Sequence, residues 1–223
     1  MPVLLHLDAS MDPAGSRSRA VSAALAEAWR SVSADHTVVR RDLHADPLPY
    51  LSDPALHWPP RLRPPGATPP ADQERVQQEV LDELLAADAV VIGAPMYNYS
   101  LPATLKTWVD YIHVPGVTTP FDVDSQPLAG RPAVVISSRG GIYDPGTPTA
   151  GWDHEVPALQ VVLGEALGMA VTVLTVSRTL AGFAPALADQ IDTAQTEFDA
   201  AVQRAGELGR ELGRELEGAA PSA

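Results

Sequence analysis

Short apolar runs alternate along the chain with longer stretches in which apolar residues recur every three or four positions. Residues 3–7 read VLLHL, 89–94 AVVIGA, 133–137 AVVIS and 171–176 VTVLTV, each with the length and continuity of a buried strand. TVVR at 37–40 is a weaker fifth run. Between them, Val21, Leu25, Trp29 and Val32 predict a helix over 17–32, and Val76, Val80 and Leu84 predict one over 73–87. Leu105, Trp108, Val109 and Ile112 follow the i, i+3, i+4, i+7 spacing of a third. Helices are also expected over 156–167 and from about 188 to 216. Strand then helix, five times over, predicts an α/β protein with a doubly wound, five-stranded parallel sheet covered on both faces. In such sheets ligands bind beyond the carboxyl ends of the strands. The loops at 9–18, 95–103 and 138–148 are therefore the places to look for chemistry.

Two regions sit outside this repeat. Residues 47–70 carry paired prolines at 59–60, 64–65 and 69–70, which argue against helix there. This segment, with Trp58, reads either as a stiff surface excursion or as a lid or partner-contacting arm. Near the other end, ELGRELGREL sets Glu207, Glu211 and Glu215 one turn apart, the pattern of a solvated helix face. Residues 1–217 are expected to form one domain and 218–223 a frayed tail.

Composition narrows the function. The chain has 223 residues, 45% of them hydrophobic, enough for a substantial core. It has no cysteine, which excludes disulfides, thiolate metal sites and a cysteine nucleophile. A formal net charge of -13 repels nucleic acid and anionic membrane, so neither is an expected partner. MPVLLHLDAS lacks the basic start of a signal peptide, and no apolar run approaches the roughly 20 residues of a membrane span. A cytoplasmic location is expected.

Three loops carry candidate chemistry. After the first strand, Ser10 is followed by Gly15, Ser16, Arg17 and Ser18 at a helix start. Free amides and a partial positive charge at a helix start suit a phosphate, and serines there also serve as N-caps; both readings stand. Neither the dinucleotide G-x-G-x-x-G nor the P-loop pattern occurs, so a phosphate here would belong to a mononucleotide. After the third strand come Pro95, Met96, Tyr97, Asn98 and Tyr99. Asn98 can donate and accept at the edge of a flat heteroaromatic ring, or simply occupy a turn. After the fourth strand come Ser138, Arg139, Gly140 and Gly141, where paired glycines let backbone amides approach a ligand or merely make a turn.

Taken together these elements resemble the FMN-dependent NADH:quinone oxidoreductase and azoreductase family. The resemblance is carried by Ser10 with Ser16, Arg17 and Ser18; by Ala94 through Tyr99; by Leu105 through Asp110; by Gly116, Val117 and Thr118; and by Ser137 through Tyr143. It spans nearly the whole chain and implies a flavodoxin-like fold. It implies FMN phosphate contacts at Ser10, Ser16, Arg17 and Ser18, and ring and ribityl contacts at Met96, Tyr97, Asn98, Tyr99, Ser138, Arg139, Gly140 and Gly141. It also implies a homodimer and a ping-pong cycle, in which NADH or NADPH reduces FMN at N5 and a quinone or azo compound then takes the donor's place. The family pattern is broken at Thr119, Pro120 and Phe121, where the expected aromatic is displaced and a proline intrudes.

No residue is marked as the proton donor. His154 and Tyr143 are the candidates, with Tyr99 and His113 also available. Asp153 and His154 precede a helix, where capping competes with catalysis. His6 falls inside a strand, and His36, His44 and His57 have no metal-ligand spacing, so no metal is expected. Trp108 lies on an apolar helix face, which predicts core. Within enzymes the alternative is a related nitroaromatic reductase. From other classes the rivals are a flavodoxin-type electron carrier, which the acidic charge suits, and a flavin-free member of the fold.

Overall fold

Every apolar run becomes a strand, each one or two residues longer than the run itself. The computed structural model describes residues 1–219. Its strands are β1 (Val3–Asp8), β2 (Thr37–Asp42), β3 (Ala89–Pro95), β4 (Pro132–Ser138) and β5 (Ala170–Val176). They form one all-parallel sheet in the order β2-β1-β3-β4-β5. This is the expected doubly wound architecture, with its switch point between β1 and β3.

Alternation along the strands builds two cores. Leu5, Leu7, Val90, Ile92 and Val135 face one side, against Val80, Leu84, Leu105, Trp108 and Leu159. The latter come from α2 (Ala71–Ala86), α3 (Ala103–Ile112) and α4 (Val156–Leu159). Leu4, Val91, Val134 and Ile136 face the other side, against Val21, Leu25 and Trp29 of α1 (Arg17–Arg30) and Ala205 and Leu208 of α5 (Ile191–Ala219). Trp108 is fully buried, as its place on the apolar face predicts.

Three departures have physical reasons. The expected helix over 156–167 is α-helical only for Val156–Leu159 and continues as a π-helix over Gln160–Ala166. A four-residue repeat drifts one way on an α-helix and the other way on the wider π-helix, so the mixture keeps Leu159, Leu163 and Leu167 buried in one line. The last helix begins at Ile191, after a 3₁₀ turn over Pro185–Gln190. The proline-rich segment also holds two 3₁₀ turns, Pro54–His57 and Pro60–Leu62. Proline is tolerated at the first position of a helical turn, where its missing N–H is not needed.

The C-terminal ELGRELG repeat does more than present glutamates. Gly209 lies so close to α1 that a Cβ there would stand 2.3 Å from the Leu25 carbonyl oxygen. One turn on, the Gly213 carbonyl bonds His36 Nε2 at 3.0 Å. Two glycines weaken a helix interior but let α5 press directly on α1 at Gly209 and on Val32 and His36, beyond the end of α1, at Gly213. Of the expected tail, residues 220–223 lie outside those described.

Candidate active site

A crevice of about 340 Å³ opens at the carboxyl ends of the strands. Its first wall is the loop after β1. Ser10 is buried there. Its hydroxyl lies 3.3 Å from the Tyr97 hydroxyl, and its carbonyl accepts from Arg19 Nη2 at 2.6 Å and Nε at 3.2 Å. Ser16 is the N-cap of α1 and accepts from the Arg19 amide, so the capping reading holds, and it also lines the crevice. Ser18 is buried behind it, its hydroxyl 3.0 Å from that of Ser16. Arg17 borders the crevice, but its guanidinium bonds the Ala194 carbonyl and lies 4.9 Å from the centre of the Phe198 ring. Asp12 also lines the space, and its Oδ1 accepts from the Ala14 and Gly15 amides at 3.0 and 2.8 Å. Those two bonds hold its carboxyl below the ordinary carboxylate range.

Beneath this loop is a buried ion cluster. Arg19 forks onto Asp42 at 2.6 and 2.9 Å. That contact holds the Asp42 carboxyl well below its usual range and raises Arg19. Asp8 is also buried; burial pushes its carboxyl up, but His6, Arg40 and Arg19 together bring it below the ordinary value. His6 bonds Ser22 at 2.9 Å and Ser22 bonds Asp8 at 3.1 Å, so His6 is a core residue as expected. Gly93 makes room for this cluster, since a Cβ there would lie 2.8 Å from Asp8 Oδ1.

The second wall follows β3. Met96 donates its amide to the Ser138 carbonyl at 2.9 Å, tying the β3 loop to the β4 loop. Tyr97 and Ser100 exchange backbone bonds of 3.0 and 3.1 Å around Asn98 and Tyr99. Asn98 has φ 49° and Tyr99 φ 72°, the left-handed pair of a type I′ turn. Asn98 thus does occupy a turn position that suits it. Tyrosine is a poor fit to that conformation, and such residues tend to mark functional sites. Of this loop Pro95, Met96 and Tyr97 line the crevice, while Asn98 and Tyr99 are not among its lining residues.

The third wall, after β4, contributes Ser138. Arg139 turns its buried guanidinium the other way, onto Asp144 at 2.9 Å, Ser177 at 2.9 Å and Asp153 at 3.4 Å. Gly140 is overlain by Leu180, whose Cδ1 would be 2.8 Å from a Cβ there. Gly141 faces Tyr143, whose hydroxyl would stand 3.6 Å from its Cβ. Tyr143 and Trp152 pack edge-on against Tyr99 at 6.2 and 5.5 Å. Burial pushes the Tyr143 hydroxyl up, which keeps it protonated. His154 is exposed and acts through its backbone, donating to the Tyr99 carbonyl at 2.9 Å. Asp153 caps α4 by accepting from the Glu155 and Val156 amides at 2.9 and 3.0 Å.

The comparisons with known proteins now decide the family. A family model described as "Flavodoxin-like fold" matches residues 3–207. An FMN-dependent NADH:quinone oxidoreductase of Kineococcus radiotolerans is 54% identical over 212 residues, covering 95% of this chain and 100% of that protein. One from a Parafrankia strain is 42% identical, over 92% of this chain and 97% of that one. The chain belongs to the family of FMN-dependent NADH:quinone oxidoreductases. Its fold is that of a Bacillus anthracis FMN-dependent NADH-azoreductase solved in complex with FMN, at a TM-score of 0.73 and 20% identity over 94% of this chain and 100% of that one.

Beyond the motifs that point to this family, the crevice has a fourth wall, formed by Thr179, Leu180, Gly182 and Phe183 after β5. The signal was available: this loop follows a strand as the other three do, but its SRTLAGF run has no recognisable motif. Asp12, Gly15 and Pro95 are further lining residues, all lying inside loops already singled out. Among the described residues, no group of acidic and histidine side chains could hold a metal ion, and no helix is long and apolar enough to cross a membrane.

Proposed function

We propose that this chain binds FMN noncovalently in the crevice and uses NADH to reduce quinones and azo compounds in a ping-pong cycle. The observation that carries the proposal is the convergence, at the switch point, of the α1 N-terminus with Ser10, Ser16, Met96, Tyr97 and Ser138. This convergence occurs in a chain 54% identical to an enzyme named for that activity. The residues fit the group. A crevice of about 340 Å³ lies within the usual range for small-molecule sites. One end offers hydroxyls and helix-start amides for a phosphate, and the other offers Met96, Leu180 and Phe183 for an apolar ring.

When bound, FMN would supply the redox chemistry, as the carrier of hydride between NADH and the acceptor. The chain's part is to hold and orient. Ser10, Ser16 and Ser18 with the α1 amides would bind the phosphate. Met96 and Tyr97 with the Ser138 backbone would hold the ring, and the Asn98–Tyr99 turn and Gly140–Gly141 would border its edge. Arg17 and Arg139 have partners elsewhere, so their backbones rather than their guanidinium groups belong to the site. A phosphate would compete with Asp12 for the Ala14 and Gly15 amides. Tyr143, protonated and packed beside the ring loop, is the better placed of the two proton-donor candidates.

The reading treats residues 1–217 as one FMN-binding domain and carries a cytoplasmic location, where NADH is available. It includes a homodimer. Leu180 and Phe183 leave apolar surface exposed at the crevice, as do Tyr99 and Trp152 beside it. A second copy would cover such surface. The arm at 47–70 is fixed on its own chain. Trp58 packs edge-on to Phe121 at 5.2 Å, and Arg61 bonds Asp122 at 2.7 and 3.0 Å and the Gly116 carbonyl at 2.8 Å. Acid precipitation of the purified protein should release FMN, and NADH should reduce a quinone without any second protein. Release of FAD, or turnover only with an added protein partner, would overturn the proposal.

A further inference from the structure

Glu155 is the most buried acid of the ring end and touches nothing that would be reduced. It is fully buried, with Oε2 2.6 Å from Ser137 Oγ and Oε1 without a partner. A carboxylate in that position would be a buried charge with one hydrogen bond and no ion pair, so burial favours the neutral acid. Burial pushes its carboxyl up to about 8; the Ser137 hydrogen bond works against this, nearby Asp153 adds to it, and Arg139 opposes it. Arg139 is itself held by Asp144, Asp153 and Ser177. Those are the charges that bear on Glu155 from β4 and the loop that follows it.

Its neighbours in sequence give this acid reach. Asp153 holds Arg139, in the loop after β4. His154 donates its amide to the carbonyl of Tyr99, the left-handed residue of the loop after β3. Glu155 holds Ser137, which is in register with Ala94 one strand away. Three consecutive residues therefore fasten both loops that flank the ring end, and the innermost fastening is a protonated carboxyl.

We propose that Glu155 is a positioning residue, clasping the β3 and β4 loops through the 153–155 segment and releasing them when it gives up its proton to solvent. An ionised Glu155 has no ion pair within the clasp: Arg139 turns Nη1 and Nη2 to Asp144, Asp153 and Ser177, its buried Nε is unpartnered, and its attraction offsets only a small part of the cost of burial. The charge is relieved by moving Glu155 toward water, which draws Asp153 and His154 off their partners. The strained Tyr99 turn then loses the amide on its carbonyl, and the Tyr99–Tyr143–Trp152 wall loses its support. The consequence for turnover rests on the flavin site proposed above; the clasp itself does not.

Two readouts separate these. In the apoprotein, hydrogen-exchange protection of the His154 amide should fall as pH rises through about 8 in the wild type. It should not fall in Glu155→Gln, which keeps a hydrogen-bonding group but cannot ionise. In the FMN-loaded enzyme, kcat/KM for a quinone should drop by about tenfold per pH unit above the same point, and the Gln variant should stay level. Ser137→Ala removes a bond that favours the carboxylate, so it should move both breaks to higher pH. Matching pH profiles for wild type and Glu155→Gln would overturn the proposal. Should the Gln variant not fold, unshifted breaks in Ser137→Ala would do the same. A protein that binds no FMN would sink the functional reading, while His154 protection would still decide the clasp.

Discussion

The two ends of the crevice are held by different physics. At the end proposed for the phosphate, Ser10 is fixed through Arg19, which is locked onto Asp42 and lies 3.5 Å from Asp8. Arg19 is shifted up and Asp42 down, both away from neutrality, so this pair keeps one charge state across the physiological range. At the ring end the support is a neutral buried acid, a left-handed tyrosine and a half-exposed aromatic cluster. The first arrangement rests on an ion pair that holds its charge across this range; the second rests on an acid that can lose its proton within it. The part of a cofactor that does no chemistry would thus sit over the ion pair.

The largest effect should come from attacking the ion-paired end. Arg19→Met leaves Asp42 without its forked partner and Asp8 and Asp42 with Arg40 alone; breaking a buried pair costs about 3–5 kcal/mol, which the exposure of Asp42 brings toward the lower figure. A fall in melting temperature on the order of 10 °C is expected, with weaker FMN binding. A variant that melts like wild type would show that the cluster does not hold the loop.

Next comes the pH response of the ring end. Glu155 has a folded value of about 8 against an ordinary 4.5. Between those values the unfolded chain has already released a proton that the folded chain keeps, so stability falls as pH rises through that window and levels off above it. At roughly 1.4 kcal/mol for each pH unit crossed, the loss amounts to a few kcal/mol. Denaturant titrations at several pH values should show this slope in the wild type and its absence in Glu155→Gln. The Arg19–Asp42 pair contributes no slope in this range.

Ser16→Ala combined with Ser18→Ala probes the phosphate directly. Each lost hydrogen bond to a charged group is worth about 1.5–3 kcal/mol, so FMN affinity should fall by tenfold or more while turnover per bound flavin holds. Unchanged affinity in fluorescence titration would leave Ser16 as a cap alone. The smallest effect separates two roles of Asn98. Glycine suits its φ of 49° whereas alanine does not. If the turn is its only task, Asn98→Gly should reduce flavin at the wild-type rate and Asn98→Ala should be slower. If its amide also meets the ring edge, stopped-flow reduction should be slowed in both.

Much of this molecule is legible locally. Strand positions, the parallel class of the sheet and the three loops that converge follow from runs such as AVVIGA and from helical spacing such as Leu105 to Ile112, because burial on a sheet or helix face imposes its own period, whereas the order of the strands came from the fold. Ser16 is recognisable as a residue of a helix start in the same way, and Trp108 as core. The glycines of ELGRELG were legible only as part of a polar repeat, because nothing nearby in sequence reveals that α1 passes beneath Gly209.

By itself, then, the sequence determined the architecture, the end of the sheet that carries the site and the serine, MYN and SRGG loops that build it. These depend on apolar periodicity and on turn and cap chemistry within a few residues. Only the tertiary structure decided where long side chains point. Arg17 is drawn to a carbonyl 177 residues away, and Arg139 turns from the crevice to Asp144, Asp153 and Ser177. It also decided that Thr179–Phe183 closes the fourth wall and that Glu155 is sealed against Ser137 rather than exposed on a helix start. The reason is common to all of these. A charged or polar group settles where desolvation is offset by partners, and those partners are supplied by the folded chain rather than by sequence neighbours.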